Sequence, residues 1–434
     1  MPDFDVVICG GGVGGLTLAA LLGRHGRSVL LVEKQREYRM VHKGELMQPS
    51  SLHVLDAAGL HAPFVASGAL PVSALSCRRP GGSELVSLDY DLLDGPYRSG
   101  LVHSYREMLN AFAAALAPGV TRWTGCRAEH VVRDADGRIN GVRVAGDVPD
   151  RRSVVDVRAT VTVACDGRGS RLRDAAGIAA ESTRYDHQLV GFELDDSPQL
   201  GNQMNAYLTD RGLRALFALP EGRARLYVQV PTGAMRELSR PQLPRWIDDV
   251  LAHVPALELV EESLRRSLTT MQVLPAWRLN AERWTQPGFA LLGDAAHGVH
   301  PMVGQGMNSA IADAGELAQA LADDWPLDAV SADAALRRYC AARRPKQRHV
   351  SRLSHNMAAL LTGTGRISRL LRANVLAHNQ DNIRVRRRLT QKMSGHSSRS
   401  LGPVDWLSIC GLPVTDGRSP ATSEPHPLLE RSSA

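Results

Sequence analysis

The run Asp5 to Cys9 is short and mostly apolar and ends at a glycine cluster, the pattern of a strand buried on both faces. A glycine-rich turn follows, then a helical stretch from about Leu16 to Gly23 and a second buried strand from Ser28 to Val32. These segments form a βαβ opening unit. A helix is expected from about Ser50 to Leu60, ending at Gly59, and another from about Tyr105 to Leu116, stopped before Pro118-Gly119. Hairpin-like segments surround Arg79-Pro80-Gly81-Gly82, and Asp136-Gly137 reads as a hairpin corner among strands between Thr121 and Cys165. The stretch from about 184 to 280 is strand-rich, with alternation at Ala224 to Val230 and one helix near Pro244 to His253. A long helical pattern returns from Ser309 to Leu321, and the last 85 or so residues open with Arg-rich helices. They end in a Ser/Pro-rich tail, 417–434, whose composition reads as disordered. No internal repeat is visible.

Composition narrows this picture only slightly. The 434 residues are 44% hydrophobic and 22% charged, ordinary for a globular protein and enough for two or three domains' worth of core. The formal net charge of +6 raises the question of nucleic acid. The basic residues are scattered, however, and the one dense cluster, Arg384 to Arg388, is interrupted by Val385 and reads as a solvated helix face. No nucleic-acid partner is expected. The six cysteines contain no C-x-x-C and no metal-ligand spacing, the N-terminus lacks the pattern of a signal peptide, and no stretch is apolar enough to span a bilayer. A reduced, cytoplasmic location is therefore expected.

Candidate chemistry changes the picture more. Gly10-Gly11-Gly12-Val13-Gly14-Gly15 matches G-x-G-x-x-G behind a strand and at the start of a helix. Gly10 allows the tight turn, Gly12 lets backbone N–H groups approach a pyrophosphate, and Gly15 lets helix and strand pack closely. The helix N-terminus adds partial positive charge. Glu33, at the end of the next strand, is suited to ribose hydroxyls.

A second motif runs Leu291-Leu292-Gly293-Asp294-Ala295-Ala296-His297, then Pro301, Gly304-Gln305-Gly306-Met307-Asn308 and Asp313. A buried strand leads into a carboxylate, and a glycine-rich loop then enters a helix. Here the chain resembles the FAD-dependent aromatic hydroxylases of the para-hydroxybenzoate hydroxylase type, single-component flavoprotein monooxygenases. The resemblance implies that Asp294 binds the ribityl chain of FAD and that the loop Gly304, Gly306, Met307, Asn308 lies against the flavin. It also implies that Pro301 and Gly306 form the flavin's reactive environment, with no side-chain acid or base assigned.

Cys165-Asp166-Gly167-Arg168-Gly169-Ser170, followed by Arg173, resembles the family's D-G segment, which serves both FAD and NAD(P)H. Tyr105-Arg106-Glu107-Met108-Leu109 resembles its R-x-x-L helix start, so Arg106 is expected to reach the pyrophosphate, although a solvated helix arginine is the rival reading. Relatives place an Arg before a Gly where this chain has His42-Lys43-Gly44. Lys43 is carried as the candidate cation, with His42 its alternative. The resemblance spans roughly residues 4 to 345.

The implied fold is α/β. A Rossmann-like FAD-binding domain (1–75, 101–180 and 281–345) interleaves with a strand-rich substrate domain (76–100 and 181–280). A C-terminal helical region (346–416) and the tail follow. The implied activity is hydroxylation or epoxidation of an electron-rich, aromatic or polyketide-type compound. NAD(P)H is a transient co-substrate, O2 the oxidant, and a flavin C4a-hydroperoxide the oxygen donor. The rivals are a reductase of the prenyl-chain type and a protein that keeps FAD structurally. A halogenase is disfavoured because W-x-W is absent. His297 and His300 have no third ligand pattern and read as non-metal residues, and Trp277, Trp284, Phe217 and Tyr227 read as core sooner than as a substrate cage.

Overall fold

A computed structural model describes residues 3–148, 153–197, 200–301, 304–365 and 375–397, so the tail 417–434 lies outside the described residues. The opening strand Phe4–Cys9 is the middle of a mostly parallel sheet. It is flanked by Val29–Glu33 and then Val120–Thr124 on one side, and by Val154–Ala164 and then Phe289–Leu291 on the other. Val6, Val7 and Ile8 are fully buried because helices cover both faces of such a sheet. The Asp136-Gly137 corner joins antiparallel strands Cys126–Arg133 and Ile139–Gly146, with Gly137 at φ +82°.

The second sheet is antiparallel apart from one parallel pair. Its order is His297–Gly298, Gln272–Ala281, Ala180–Leu194, Ala224–Pro231, Gly212–Ala218, Gln203–Thr209, Ala74–Arg78, Glu84–Asp89. The Arg79 to Gly82 segment is the hairpin turn between the last two strands, closed by Arg79 N–H donating to the Ser83 carbonyl. Both sheets draw strands from separated parts of the chain. Their loops therefore meet in space without being neighbours in sequence.

Two helix starts differ from the expectation. The first helix is Val13–Arg24 and the later one is Gln305–Ala322, each taking glycines into its first turn. Glycine weakens a helix locally, but packing decides here. A Cβ on Gly15 would lie 2.0 Å from the Gly10 carbonyl oxygen, and one on Gly14 would lie 2.5 Å from Leu292 Cδ2. The glycines let the first helix lie directly against strand and neighbour. The expected helix from Ser50 to Leu60 is Pro49–Ala57, with Gly59 at φ +70° in the turn that follows.

The region with no recognised motif contributes the helix Ala329–Thr362, which continues through Pro345. Its first half docks on the parallel sheet, where the buried Tyr339 hydroxyl donates to the Leu291 carbonyl at 3.0 Å. Its second half leaves that sheet and packs over the antiparallel one. Leu353, Met357 and Leu361 join a hydrophobic cluster with Leu85, Val86, Leu88 and Leu213.

Candidate active site

The carboxyl ends of the parallel strands open into one large cavity of about 1540 Å³ that runs on between the antiparallel sheet and the C-terminal helices. It exceeds the roughly 300–1,000 Å³ of a pocket for one drug-sized ligand. Of the residues expected at the site, Gly10, Gly12, Gly15, Glu33, Lys43, Asp166, Asp294, Pro301, Gly304, Gly306 and Met307 all line it.

The glycine loop is held by its own neighbours. Gly10 has φ +121°, where a Cβ would strike the Cys165 carbonyl at 2.2 Å. Glu33 Oε2 accepts from Gly11 N–H at 2.6 Å, and Oε1 accepts from Gln35 N–H at 2.8 Å. The carboxylate thus shapes the loop and also lines the cavity. A Cβ on Gly12 meets no protein atom nearer than the Tyr105 hydroxyl at 3.6 Å, and one on Gly306 meets nothing within 4 Å. These two glycines leave open space that the fold itself does not need.

The second motif is organised by Asp313. Its fully buried carboxylate accepts from His297 Nε2 (2.6 Å), Gly293 N–H (3.1 Å) and Arg343 Nε (2.8 Å). The adjacent His297 and Arg343 hold its pKa down to about 2, against the opposing effect of burial. Gly293 N–H is thereby fixed, and the next residue, Asp294, lines the cavity. Burial raises the pKa of Asp294, while Lys43, His297 and Arg168 work in the other direction.

Asp166 brings in the third motif. Its Oδ1 is buried without a hydrogen-bond partner, while Oδ2 accepts from Leu172 N–H at 3.3 Å. Burial raises its pKa as well. Arg173 serves structure: its Nη1 donates to the carbonyls of Arg168 and Ala295, tying the third motif to the second.

Three of the expected positions differ in where their side chains lie. Lys43 lines the cavity, whereas His42 is turned away, its Nδ1 3.0 Å from the Gly191 carbonyl. Arg106 does not line the cavity: its Nε donates to Glu107 at 2.8 Å. One position earlier on the same helix, about 100° around it, Tyr105 does line it. Asn308 is likewise outside the lining. Its Oδ1 accepts from Gln48 N–H and Ser51 Oγ, and its Nδ2 donates to the carbonyls of Leu46 and Gly304, so all its capacity is used in holding the loop.

His297 and His300 go separate ways, the first to Asp313 and the second to His187, with Nε2 atoms 2.8 Å apart. Burial and the neighbouring His187 pull His300 down to about 3. Of the aromatic residues, Trp277, Phe217 and Tyr227 line the cavity, and Trp284 is core, stacked on His297.

The sequence reading passed over a buried polar cluster on the floor of the cavity. Arg225, fully buried, donates to Glu45 (2.6 Å) and Glu193 (2.7 Å), and the Tyr227 hydroxyl donates to Glu45 at 2.6 Å. Burial first, then Glu45, pushes the Tyr227 phenol well above its ordinary range, so it stays a neutral donor. The one available signal was a charged residue at position 225 inside a mostly apolar strand, where it had to be paired.

A family described as "FAD binding domain" matches residues 3–354. The chain is 28% identical to the 6-methylpretetramide 4-monooxygenase of Streptomyces rimosus, over 85% of this chain and 87% of that protein. It is 29% identical to the protoasukamycin 4-monooxygenase of Streptomyces nodosus subsp. asukaensis, over 83% and 89%. Among solved structures it resembles P. aeruginosa PqsL in complex with 2-aminobenzoylacetate, with a TM-score of 0.71 and 29% identity, covering 86% of this chain and 98% of that one.

Proposed function

The chain belongs to the FAD-binding domain family and is an FAD-dependent monooxygenase; from that premise we propose that it uses NAD(P)H and O2 to place one oxygen atom on an electron-rich aromatic or polyketide-type compound. The observation that carries this reading is the continuity of the cavity. A nucleotide cradle and an apolar chamber share one space, larger than a pocket for one drug-sized ligand.

The residues fit FAD. Gly12 and Gly306 leave the space a Cβ would fill, and the orphaned Asp166 Oδ1 is a buried acceptor awaiting a donor. Glu33 would hold the ribose hydroxyls, the N-terminus of Val13–Arg24 the pyrophosphate, and Asp294 the ribityl hydroxyls, with Lys43 beside it. Gly304, Gly306 and Met307 would border the flavin ring, and Pro301 its reactive side. FAD, when bound, accepts a hydride from NAD(P)H and activates O2 for transfer of one oxygen atom.

The protein's part is electrostatic and steric. The N-terminus of Gln305–Ala322 presents unpaired N–H groups and partial positive charge, worth about 0.3–1 kcal/mol for a facing anion and up to ~2 when partly buried. The apolar walls, Leu189, Phe217 and Leu274 among them, exclude water and so suppress wasteful peroxide release. Tyr227 and Arg225 fix Glu45 in the floor by hydrogen bonds to both its oxygens. No second G-x-G-x-x-G stands behind a strand in this sequence, which supports a transient visit by NAD(P)H to the same flavin, with Asp166 helping both.

Turnover under air with a panel of aromatic and polyketide compounds tests the reading, with NAD(P)H consumption and product mass as readouts. A gain of one oxygen atom is expected; a gain of two hydrogens would replace monooxygenation by reduction. Asp294→Ala should lower FAD affinity about tenfold to a hundredfold, the loss of about 1.5–3 kcal/mol for a hydrogen bond to a charged group. Because Asp294 is buried at a desolvation cost, the flavin-free variant should be no less stable than wild type. Full flavin content in the purified variant would remove Asp294 from the cofactor site.

A further inference from the structure

The two ends of the apolar chamber differ in composition. The strand Gly212–Ala218 runs between them, and because side chains alternate along a strand, Leu213, Ala215 and Phe217 share the face that lines the cavity. Leu216 points the other way, into the core behind the sheet with Leu226 and Val228. Phe217 belongs to the flavin end. It clusters with Tyr90 and with Leu46, the side chain that a Cβ on Gly304 would meet at 3.7 Å, and its ring centroid is 6.1 Å from that of Tyr227. Leu213 belongs to the far end, clustered with Val86 and Leu88 of the hairpin and with Leu353, Met357 and Leu360 of the helix Ala329–Thr362. Among the described residues this far cluster contains no aromatic side chain.

Length and polarity narrow what such an end can hold. Four steps of strand separate Leu213 from Phe217, about 13 Å at the usual rise. An extended hydrocarbon chain of about ten carbons has that length, since each bond of about 1.5 Å advances a zigzag chain by about 1.25 Å. Ala215, midway, is the smallest of the three lining residues and keeps the passage open. The polar groups on this wall are engaged by the protein itself: Ser76 Oγ lies 3.2 Å from Ser87 Oγ, and Asn205 Oδ1 accepts from Arg78 Nε at 2.6 Å. The basic positions of the helix, His349 and Arg352, precede its apolar stretch. Leu353, Met357 and Leu360 are only half-buried although they face a hydrophobic cluster, so they leave apolar surface for a ligand to cover. Aliphatic walls with a flexible thioether adapt to a chain, whereas a fused aromatic body gains its extra attraction only against other rings.

We propose that the far end of the chamber is a binding site for an unbranched aliphatic chain of about ten carbons, carried by the ring that is oxygenated. The ring lies beside Phe217 at the flavin end, and the chain runs past Ala215 and Leu213 to Leu353, Met357 and Leu360. The inference rests on the functional reading only for a ring-binding end beside the flavin.

Calorimetric titration of the FAD-loaded protein with 4-alkylphenols, in the absence of NAD(P)H, tests this. From 4-methylphenol to 4-octylphenol the affinity should rise about two- to fourfold per methylene. It should level off between 4-octylphenol and 4-dodecylphenol, where the chain outgrows the chamber. Ala215→Phe narrows the passage halfway along the strand, so its rise should end near 4-butylphenol. Met357→Trp fills the far end from a half-buried helix position and should weaken 4-octylphenol at least about tenfold; it keeps the test available if Ala215→Phe does not fold. In both variants 4-methylphenol should bind as in wild type, which also reports an intact ring end. Affinities that do not rise with chain length in wild type, that keep rising to 4-dodecylphenol, or that rise identically in wild type and Met357→Trp would overturn the proposal, as would absence of binding by every member of the series. No oxygen is transferred in this titration, so its outcome is separate from the product-mass test: a chain-length dependence with no oxygen insertion would refute the reaction and leave the chain site standing.

Discussion

Asp313→Ala should be among the most destabilising single substitutions in this chain, costing about 3–5 kcal/mol, the range for removing one partner of a buried ion pair. Asp313 is fully buried and answers three donors, His297, Gly293 N–H and Arg343. Its removal leaves the Arg343 guanidinium charged and buried beside an empty site. The denaturation midpoint of the flavin-free protein at neutral pH is the measurement. Arg343→Leu in the Asp313→Ala background should recover a large part of the loss, because the penalty lies in the unpaired charge and less in the lost contact. A loss below about 1 kcal/mol in the single variant would contradict the role assigned to this triad.

The same carboxylate sets a pH dependence. Its folded pKa, about 2, lies below its ordinary value of 3.8. A depressed carboxylate pKa gives stability that is present above 3.8 and is lost as pH falls through about 2. Wild type should therefore show a component of acid destabilisation in that window that Asp313→Asn lacks. Since Gly293 N–H is held by Asp313, both variants should also bind FAD more weakly through misplacement of Asp294.

Gly12→Val and Gly15→Val should fail in opposite ways. At Gly12 the nearest protein atom to a new Cβ is 3.6 Å away, so the apoprotein should fold with nearly wild-type stability. The added side chain would occupy the place where backbone N–H groups meet a pyrophosphate, and flavin affinity should fall by about a hundredfold or more. At Gly15 a Cβ would sit 2.0 Å from the Gly10 carbonyl, which belongs to the rigid turn after the first strand. Overpacking there should cost at least about 1–3 kcal/mol and yield little soluble protein. Flavin absorbance per mole of protein, set beside a thermal melt, separates the two effects. A fully yellow Gly12→Val protein would place the pyrophosphate elsewhere.

Much of the cofactor end was legible along the chain because its chemistry is local. A strand, a glycine turn and a helix in succession make the cradle from adjacent residues, and Glu33 stands one strand away. The Gly-Asp turn and the loop into Gln305–Ala322 are also contiguous, so residue type and spacing carried their meaning. Where rotation about a helix axis decides direction, the sequence says less: Tyr105 lines the cavity and Arg106 does not, and Asn308 spends its amide on Leu46, Gln48, Ser51 and Gly304.

The chamber is a different matter. Its floor joins Glu45 to Arg225 and Tyr227 across some 180 positions of sequence, and its roof comes from the second half of a helix that passes through Pro345, a residue that reads as a helix end. His349 and Arg352 resemble any solvated basic residues until the antiparallel sheet lies opposite them. The sequence alone therefore determined the dinucleotide cradle, which rests on short contiguous motifs whose backbone geometry is self-contained, and through the family resemblance those motifs carry it pointed to FAD and the class of reaction. Only the tertiary structure decided which side chains face the substrate, because burial and electrostatic neighbourhood are properties of surfaces that distant segments make when they pack together.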